Sequence, residues 1–168
     1  SSTSYGPTYL TVVGNTLYFE GYDTTNGAAL WKSDGTTTGT VMVKDTYTSG
    51  TSYGPSSLTA VGNTLFFSGY HTTNGLSLWK SDGTTTGTVM VKDTHTSSTS
   101  YGPSYLTAVG NTLFFEGYDP INGDALWKSD GTTAGTVMVK DTYTVTSTSI
   151  SYAPSYLMVF GNELFFRG

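Results

Sequence analysis

Two pairs of carboxylates are the side chains whose types and spacing could support acid–base chemistry in this sequence. Glu20 lies three residues before Asp23, and Glu116 lies three residues before Asp119. Ser68 and His71 stand at the corresponding positions of a similar segment between the two pairs, and Arg167 stands at the position of the glutamate in a fourth similar segment. No nucleophile elbow, phosphate-binding loop or zinc-ligand spacing accompanies them. The sequence therefore predicts that the protein is not an enzyme and needs no cofactor.

The same aspartates begin turns that are rich in side-chain oxygens. Asp23 is followed by Asn26 and Asp119 by Asn122, and oxygens at such alternating positions are the ligands that Ca²⁺ prefers. Asp23 and Asp119 are thus the candidate metal ligands. The segments are shorter than an EF-hand loop and lack its final bidentate glutamate, so the favoured interpretation is an Asx turn without a metal.

Tyrosines that stand close to asparagines provide a second kind of candidate site. An exposed tyrosine ring can stack on a pyranose while an amide bonds its hydroxyls. Three such pairs occur, which are Tyr22 with Asn26, Tyr70 with Asn74, and Tyr118 with Asn122. They predict, as an alternative function, a lectin-like carbohydrate-binding protein with one shallow site in each repeat and a glycan as partner.

These residues recur because the chain is a tandem array with a period of 48 residues. Residues 3–50 and 51–98 differ at 10 of 48 positions, and residues 51–98 and 99–146 differ at 11. A partial fourth copy covers residues 152–168. The sequence indicates a single repeat array over residues 1–168, with no further domain boundary.

Each repeat has the pattern of four short antiparallel strands. In the first copy they are expected at residues 9–13, 17–22, 29–33 and 40–44, with turns at Gly14-Asn15 and Asp34-Gly35. The composition also favours strands over helices. Thr and Tyr, which are common in strands, number 33 and 13, whereas Ala, a strong helix former, numbers 7 and Gln is absent. The prediction is an all-β fold with about 14 strands.

A β-propeller is the favoured arrangement of these strands, and a β-solenoid is the alternative. Four antiparallel strands in 48 residues match one propeller blade, whereas solenoid coils do not contain such hairpins. Strands that are apolar on both faces suit a sheet between two neighbours. One tryptophan per repeat, at Trp31, Trp79 and Trp127, is expected to pack in an equivalent buried position.

The segment Leu30-Trp31-Lys32-Ser33-Asp34-Gly35-Thr36 resembles the ELWKSDGT-type repeats of bacterial surface proteins. The resemblance covers nearly the whole chain and includes the Gly62-Asn63 hairpin with its following Leu65-Phe66-Phe67 run. It implies propeller blades and a secreted or cell-surface location, and no common activity. The chain departs from the pattern where Thr46, Thr94 and Thr142 replace the usual isoleucine.

Charge and hydropathy argue against two classes of partner. The formal net charge is -5 and the pI is about 4.6, with only seven basic residues, so binding to nucleic acid is not expected. No apolar run approaches the 18 or so residues of a membrane span, so insertion in a membrane is not expected. The repeated Lys and Asp are interpreted as surface pairs and turn caps.

The last copy differs from the others in a way that predicts an interface. It has Met158 and Phe160 where the others have threonine and valine, and Arg167 in the glutamate column. With Tyr156, these residues are the candidate assembly interface, because apolar surface of this kind marks interaction sites. The chain has four copies of the first hairpin of a repeat and three copies of the second, so one hairpin lacks its own partner. This indicates an irregular four-bladed ring, hairpin exchange between chains, or a fragment of a longer array.

The function expected from the sequence is therefore a non-enzymatic extracellular repeat module with a structural, adhesive or self-assembly role. Its partners are other copies of the chain or neighbouring repeats of a longer chain. Hairpin exchange would complete a propeller or extend a filament.

Overall fold

The computed structural model describes residues 6–47, 53–94, 102–119, 123–141 and 153–168. Across these residues the chain forms fourteen β-strands and no helix. The strands belong to four antiparallel sheets, one from each full repeat and a two-stranded one from the partial copy. The predicted all-β fold and strand number are confirmed.

The three full repeats form four-stranded sheets in which sequential strands are neighbours. The first contains β1 (Thr8–Val13), β2 (Thr16–Asp23), β3 (Gly27–Ser33) and β4 (Val41–Lys44). The second contains β5 (Ser56–Val61), β6 (Thr64–His71), β7 (Gly75–Ser81) and β8 (Val89–Lys92). The third contains β9 (Ser104–Val109), β10 (Thr112–Asp119), β11 (Gly123–Ser129) and β12 (Val137–Asp141). The partial copy contains β13 (Ser155–Phe160) and β14 (Glu163–Arg167).

The hairpin between β1 and β2 has a two-residue loop, Gly14-Asn15, because Val13 pairs with Thr16. Gly14 has a φ of 60°, and Asn15 is not among the residues with positive φ. A glycine with positive φ at the first central position is typical of a type II′ turn, whose twist matches that of the strands. The predicted turn is confirmed, and the glycine alone needs the left-handed region.

The first strand of each repeat contains a β-bulge that the sequence did not predict. The register between β1 and β2 shifts between Thr8 and Thr11, and Tyr9 in the bulge has a φ of 54°. The same column is left-handed at Ser57, Tyr105 and Tyr156. Tyrosine rarely adopts this conformation, so the backbone preference of the residue does not predict the bulge. The bulge depends instead on how the two strands pair.

The sheets pack face to face in sequence order. The first strands of successive repeats contact one another in a row, β1 with β5, β5 with β9, and β9 with β13. One core cluster joins the first and second sheets through residues such as Tyr18, Leu58 and Trp79. A second cluster joins the second and third sheets through Phe66 and Trp127. The strands are apolar on both faces because each inner sheet has two neighbours.

The three tryptophans occupy equivalent positions, but they are not equally buried. Each lies opposite a phenylalanine of the preceding strand, as Trp31 lies opposite Phe19 and Trp79 opposite Phe67. Trp79 is 5% exposed and Trp127 is also buried, whereas Trp31 is only half-buried. The expectation of equal burial is wrong for Trp31, because the described chain has no sheet in front of the first repeat.

Candidate functional site: repeat junctions and array ends

The segment from Asp34 to Thr40 is a loop closed by its own side chains. Asp34 Oδ1 accepts hydrogen bonds from the backbone N–H and the hydroxyl of Thr36, at 2.9 and 2.7 Å. The Thr36 hydroxyl accepts the N–H of Gly39 at 2.9 Å, and Thr40 donates to the Thr36 carbonyl at 2.7 Å. The bonds from the hydroxyl and the backbone N–H of Thr36 lower the pKa of Asp34. The predicted turn-cap role of this aspartate is confirmed.

The lysines of the first two repeats join one repeat to the next, a role that the sequence did not predict. Lys32 Nζ donates to the carbonyl of Gly83 at 2.8 Å, and Lys44 Nζ donates to the carbonyl of Thr88 at 3.0 Å. In the opposite direction, the Thr85 hydroxyl donates to the Val43 carbonyl at 2.9 Å. Lysine suits this role because its long stem reaches across apolar surface to a polar acceptor.

The second junction repeats the contacts of the first with the same geometry. Lys80 donates to the carbonyl of Gly131 at 2.8 Å and Lys92 to that of Thr136 at 2.8 Å. The Thr133 hydroxyl donates to the Val91 carbonyl at 2.9 Å. We call this set of bonds, two from lysine and one from threonine, the junction contact.

A cation–π contact accompanies the junction contact. Lys44 Nζ lies 6.0 Å from the ring centroid of Trp79, and Lys92 Nζ lies 5.5 Å from that of Trp127. These two tryptophans therefore each contact a lysine of the preceding repeat. Trp31 is the one tryptophan that has no preceding repeat within the described chain.

The front of the first repeat exposes the receiving half of a junction contact. In the second repeat Ser81, Gly83 and Thr88 are buried by the first sheet. The equivalent residues of the first repeat are more exposed: Ser33 and Thr40 are half-buried and Gly35 is exposed. We call this surface, with Trp31, the front face.

The third sheet exposes the donating half. Lys128 and Lys140 are exposed, whereas the equivalent lysines of the first two repeats are half-buried at the junctions. Val139 is exposed, although Val43 and Val91 in the same column are buried. We call this surface the rear face. It lies on β11 and β12, and within the described residues the next sheet consists of β13 and β14 alone.

The candidate assembly residues lie on the terminal hairpin and are exposed. Phe160 is 77% exposed, Tyr156 70% and Met158 61%, and Arg167 is exposed at the end of β14. Strand β14 pairs with β13 alone, whereas β2, β6 and β10 each pair on both edges. The hairpin thus combines exposed apolar side chains with an open backbone edge, two features of a surface that binds another chain.

The structure treats the three predicted sugar-binding pairs differently. Tyr70 is only 8% exposed, and its ring lies 4.5 Å from that of Tyr47 and 4.9 Å from that of Tyr53. Tyr22 is exposed and Tyr118 is half-buried. Because the Tyr70 side chain is buried and its ring is stacked on that of Tyr53, the second copy does not offer a stacking platform.

The asparagines of the same pairs are used within the chain. The Asn26 side chain donates to the Asp23 carboxylate at 2.9 Å, and that of Asn74 donates to the Asp93 carboxylate at 3.1 Å. Asn122 lies outside the described residues. Both described amides are therefore tied to a carboxylate of the protein itself.

The two candidate metal ligands end different strands, Asp23 ending β2 and Asp119 ending β10. Asp23 Oδ1 accepts the backbone N–H groups of Thr25 and Asn26, at 2.8 and 2.7 Å. These bonds lower the pKa of Asp23, the side-chain bond from Asn26 most of all. The arrangement is the Asx turn that was expected. Among the described residues no three His, Cys, Asp or Glu side chains are grouped as metal ligands would be.

The junction lysines are the functional residues that sequence reasoning missed. Their signal was present, since two lysines occur at fixed columns in every full copy. A charged residue that recurs once in every repeat is compatible with a contact between repeats and equally with an ion pair at the surface. Only the packing of the sheets distinguishes the two.

No family model matches this chain, and neither curated proteins nor solved structures gave a match. The likeness to ELWKSDGT-type repeats stays a prediction from the residues. The described part of the chain also contains no helix that could cross a membrane.

Proposed function

We propose that the protein is a non-enzymatic self-assembly module whose copies associate head to tail. The observation that carries this proposal is the complementarity of the front and rear faces. Lys128 and Lys140 on the rear face are the donors of a junction contact, and the carbonyls of Gly35 and Thr40 on the front face are its acceptors. The chain makes this contact twice internally. The front face of a second copy would therefore provide the acceptors that the rear face lacks.

The terminal hairpin sets how two copies would meet. It sits beside β9, where the inner strands of a following repeat belong. The free edge of β14 would then pair with β3 of the second copy, as β2 pairs with β3 within the chain. The first hairpin of that copy, β1–β2, would have to give way. Nearly identical repeats make such an exchange inexpensive, because each hairpin fits the other's place.

The propeller arrangement belongs to the same proposal. Four innermost strands in a row, with the remaining strands outward in sequence order, support sheets arranged as blades around an axis. Copies that join head to tail would complete a ring or, where the rotation does not close, extend a filament. By its resemblance to surface-protein repeats, we place this assembly outside the cell or on its surface, in a structural or adhesive role.

Light scattering coupled to gel filtration tests the proposal. The chain should elute with a mass that is a multiple of 17.9 kDa and that rises with concentration. Deleting residues 152–168 should abolish this assembly, and Lys140→Ala should weaken it. Thr86→Ala is the matched control, because the third repeat has Ala134 in that column, and it should change nothing. A monodisperse monomer at every concentration would overturn the proposal.

A further inference from the structure

Tyr105 and Tyr156 stand at the same position of neighbouring repeats, in the bulges of β9 and β13. Both have a positive φ, of 51° and 55°, so their side chains leave the two strands in the same direction. Their ring centroids lie 6.4 Å apart, with an angle of 38° between the ring planes. Tyr105 is 47% exposed, and Tyr156 is more exposed still. The pair is therefore a contact between two repeats that a reagent in solution can reach.

Neither the backbone nor the core requires a tyrosine at this position. A left-handed φ disfavours bulky side chains. The second repeat has Ser57 there with a φ of 54°, so a small side chain is sufficient for the bulge. The tyrosine rings are exposed and add little to the core. A bulky residue that keeps a strained conformation while its side chain is exposed indicates a role at the surface.

The tyrosine pair lies at the junction between the third repeat and the terminal hairpin, which has fewer hydrogen bonds than the first two junctions. At those two, a threonine hydroxyl of one first strand donates to a leucine carbonyl of the next. The bonds measure 2.9 and 3.1 Å and run from Thr11 to Leu58 and from Thr59 to Leu106. Among the described residues, Thr107 donates instead to the carbonyl of Tyr105 in its own strand, at 2.9 Å. Within the same residues the hairpin also has no loop that accepts a junction contact.

We propose that Tyr105 and Tyr156 are a site of oxidative cross-linking, which joins them as dityrosine. The oxidant is a haem peroxidase with hydrogen peroxide. It takes one electron and the phenolic proton from each tyrosine, and the two radicals combine through a bond between one Cε atom of each ring. The hydrogen on each bonded Cε then moves to the phenolic oxygen, and the peroxide is reduced to two molecules of water. The new bond fixes the terminal hairpin to the third repeat.

Other tyrosines of the chain are less suited to this reaction. Tyr9 resembles Tyr105 in its left-handed φ and its exposure, but its neighbour at this position of the next repeat is Ser57. The rings of Tyr53 and Tyr70 lie closer together, at 4.9 Å, but they are stacked with 15° between their planes. A bond between Cε atoms joins ring edges rather than ring faces, and Tyr70 is buried away from the oxidant.

Oxidation of the full chain with a haem peroxidase and hydrogen peroxide, at low protein concentration, tests the site by mass spectrometry. The product should have the mass of one chain less that of two hydrogen atoms, and it should show the fluorescence of dityrosine. Fragment spectra of the digested product should place the bond between Tyr105 and Tyr156. A bond between other tyrosines of the chain, or covalent dimers alone, would overturn the proposal.

Three substitutions make this test specific. Tyr156→Phe should abolish the cross-link, because phenylalanine has no phenolic proton to lose. Tyr9→Phe is the matched control and should leave the yield unchanged. Ser57→Tyr should add a second bond, between position 57 and Tyr9 or Tyr105, because it places a phenol beside each of them. An undiminished yield in Tyr156→Phe, a loss in Tyr9→Phe, or no second bond in Ser57→Tyr would contradict the assignment.

Hydrogen exchange measures what the bond does to the terminal hairpin. In the cross-linked chain the amides of β13 should exchange at least about tenfold more slowly, because a covalent tether reduces the entropy that the hairpin gains when it opens. Tyr156→Phe treated with the same oxidant should exchange as the untreated chain does. Equal rates in the cross-linked and untreated chains would refute the fixing role. The reaction needs one chain only, so its outcome is independent of the proposed self-assembly.

Discussion

The first and second repeats have nearly the same sequence but different environments. In the second repeat Leu65 and Phe67 are buried, whereas the equivalent Leu17 and Phe19 of the first are half-buried. Trp79 is buried and Trp31 is not. Within the described residues, the second repeat has a sheet against each face, and the first repeat has a sheet against one face. Burial in this protein is thus determined by the place of a repeat in the array more than by its residues.

The same comparison holds at the other end of the array. Val91 is buried in the second repeat and Val139 is exposed in the third, although both occupy the middle of an identical strand sequence. The apolar residues of a repeat are suited to two neighbours, so an end repeat exposes what an inner repeat buries. This is the physical reason for expecting association at the ends.

The largest effect that can test this comparison is the loss of a tryptophan. Trp79→Ala should lower the free energy of unfolding by about 3–5 kcal/mol, the usual cost of removing a buried aromatic side chain. Trp31→Ala should cost about half as much, because its site is already partly open to water. Urea denaturation followed by circular dichroism at low protein concentration measures both. Equal losses would contradict the difference between inner and end repeats.

The lysines of the junction contact sharpen the comparison. Lys44→Met should lower the free energy of unfolding by about 1–2 kcal/mol, since it removes a charge-assisted bond and a cation–π contact while keeping the apolar stem. Lys140→Met should change the stability of the dilute chain by less than about 0.5 kcal/mol. It should instead reduce association in light scattering. A stability loss in Lys140→Met as large as in Lys44→Met would refute the assignment of the rear face.

A buried hydroxyl offers a test in the direction of greater stability. Thr46 and Thr94 are buried, and their hydroxyls make no hydrogen bond to any described group. Thr94→Val should therefore raise the free energy of unfolding by about 1 kcal/mol, because it removes an unsatisfied polar group and keeps the shape.

Thr88→Val is the matched control for that substitution. The Thr88 hydroxyl is bonded to Ser81 at 2.7 Å and to the Thr84 carbonyl at 2.6 Å. Its removal should lower the free energy of unfolding by about 1–2 kcal/mol. Thermal unfolding of the two variants would show opposite shifts of Tm; shifts of the same sign would contradict this interpretation.

The smallest effect concerns pH and the third repeat. Burial is the main cause that raises the pKa of Glu116, and the negative charge of Asp124 adds to it, against a hydrogen bond from Ser104. The folded state therefore holds this proton more tightly than the unfolded chain, so the contribution of Glu116 to stability falls as the pH rises from its ordinary pKa through the raised one.

Glu116→Gln should accordingly remove this part of the pH dependence and raise the Tm at pH 7. Thermal melts between pH 4 and pH 7 would measure it. The control is Ser68→Ala, in the same column of the second repeat, which introduces no titrating group and should leave the slope unchanged. A wild-type slope in Glu116→Gln would contradict the assignment.

Much of the architecture follows from local pattern. The 48-residue period, the Gly14-Asn15 turn and the four strands per repeat were predicted from the order of residue types. The ends of the strands differ by one or two residues; β4, for instance, begins at Val41 rather than at Thr40. The reason is that Thr40 is held in the preceding loop by hydrogen bonds to Ser33 and Thr36.

The sites were less accessible to sequence reasoning. The Asx turn at Asp23 was predicted because its bonds join residues two or three apart. The packing of Tyr70 against Tyr47 and the bonds from Lys32 and Lys44 were not predicted, because they join different repeats. The left-handed Tyr9 was missed for a related reason, since it depends on the register of two strands rather than on its own propensity.

The sequence by itself determined what each repeat is: its strands, its turns and the loop from Asp34 to Thr40, all of which depend on contacts between residues close along the chain. The tertiary structure decided which copies of the same residue are buried and which lysines contact the next repeat. Equivalent residues of identical type cannot reveal from sequence alone which of them is buried or bonded. The difference arises because a sheet's two faces are filled by its neighbours, and the first and last sheets of the array have fewer of them.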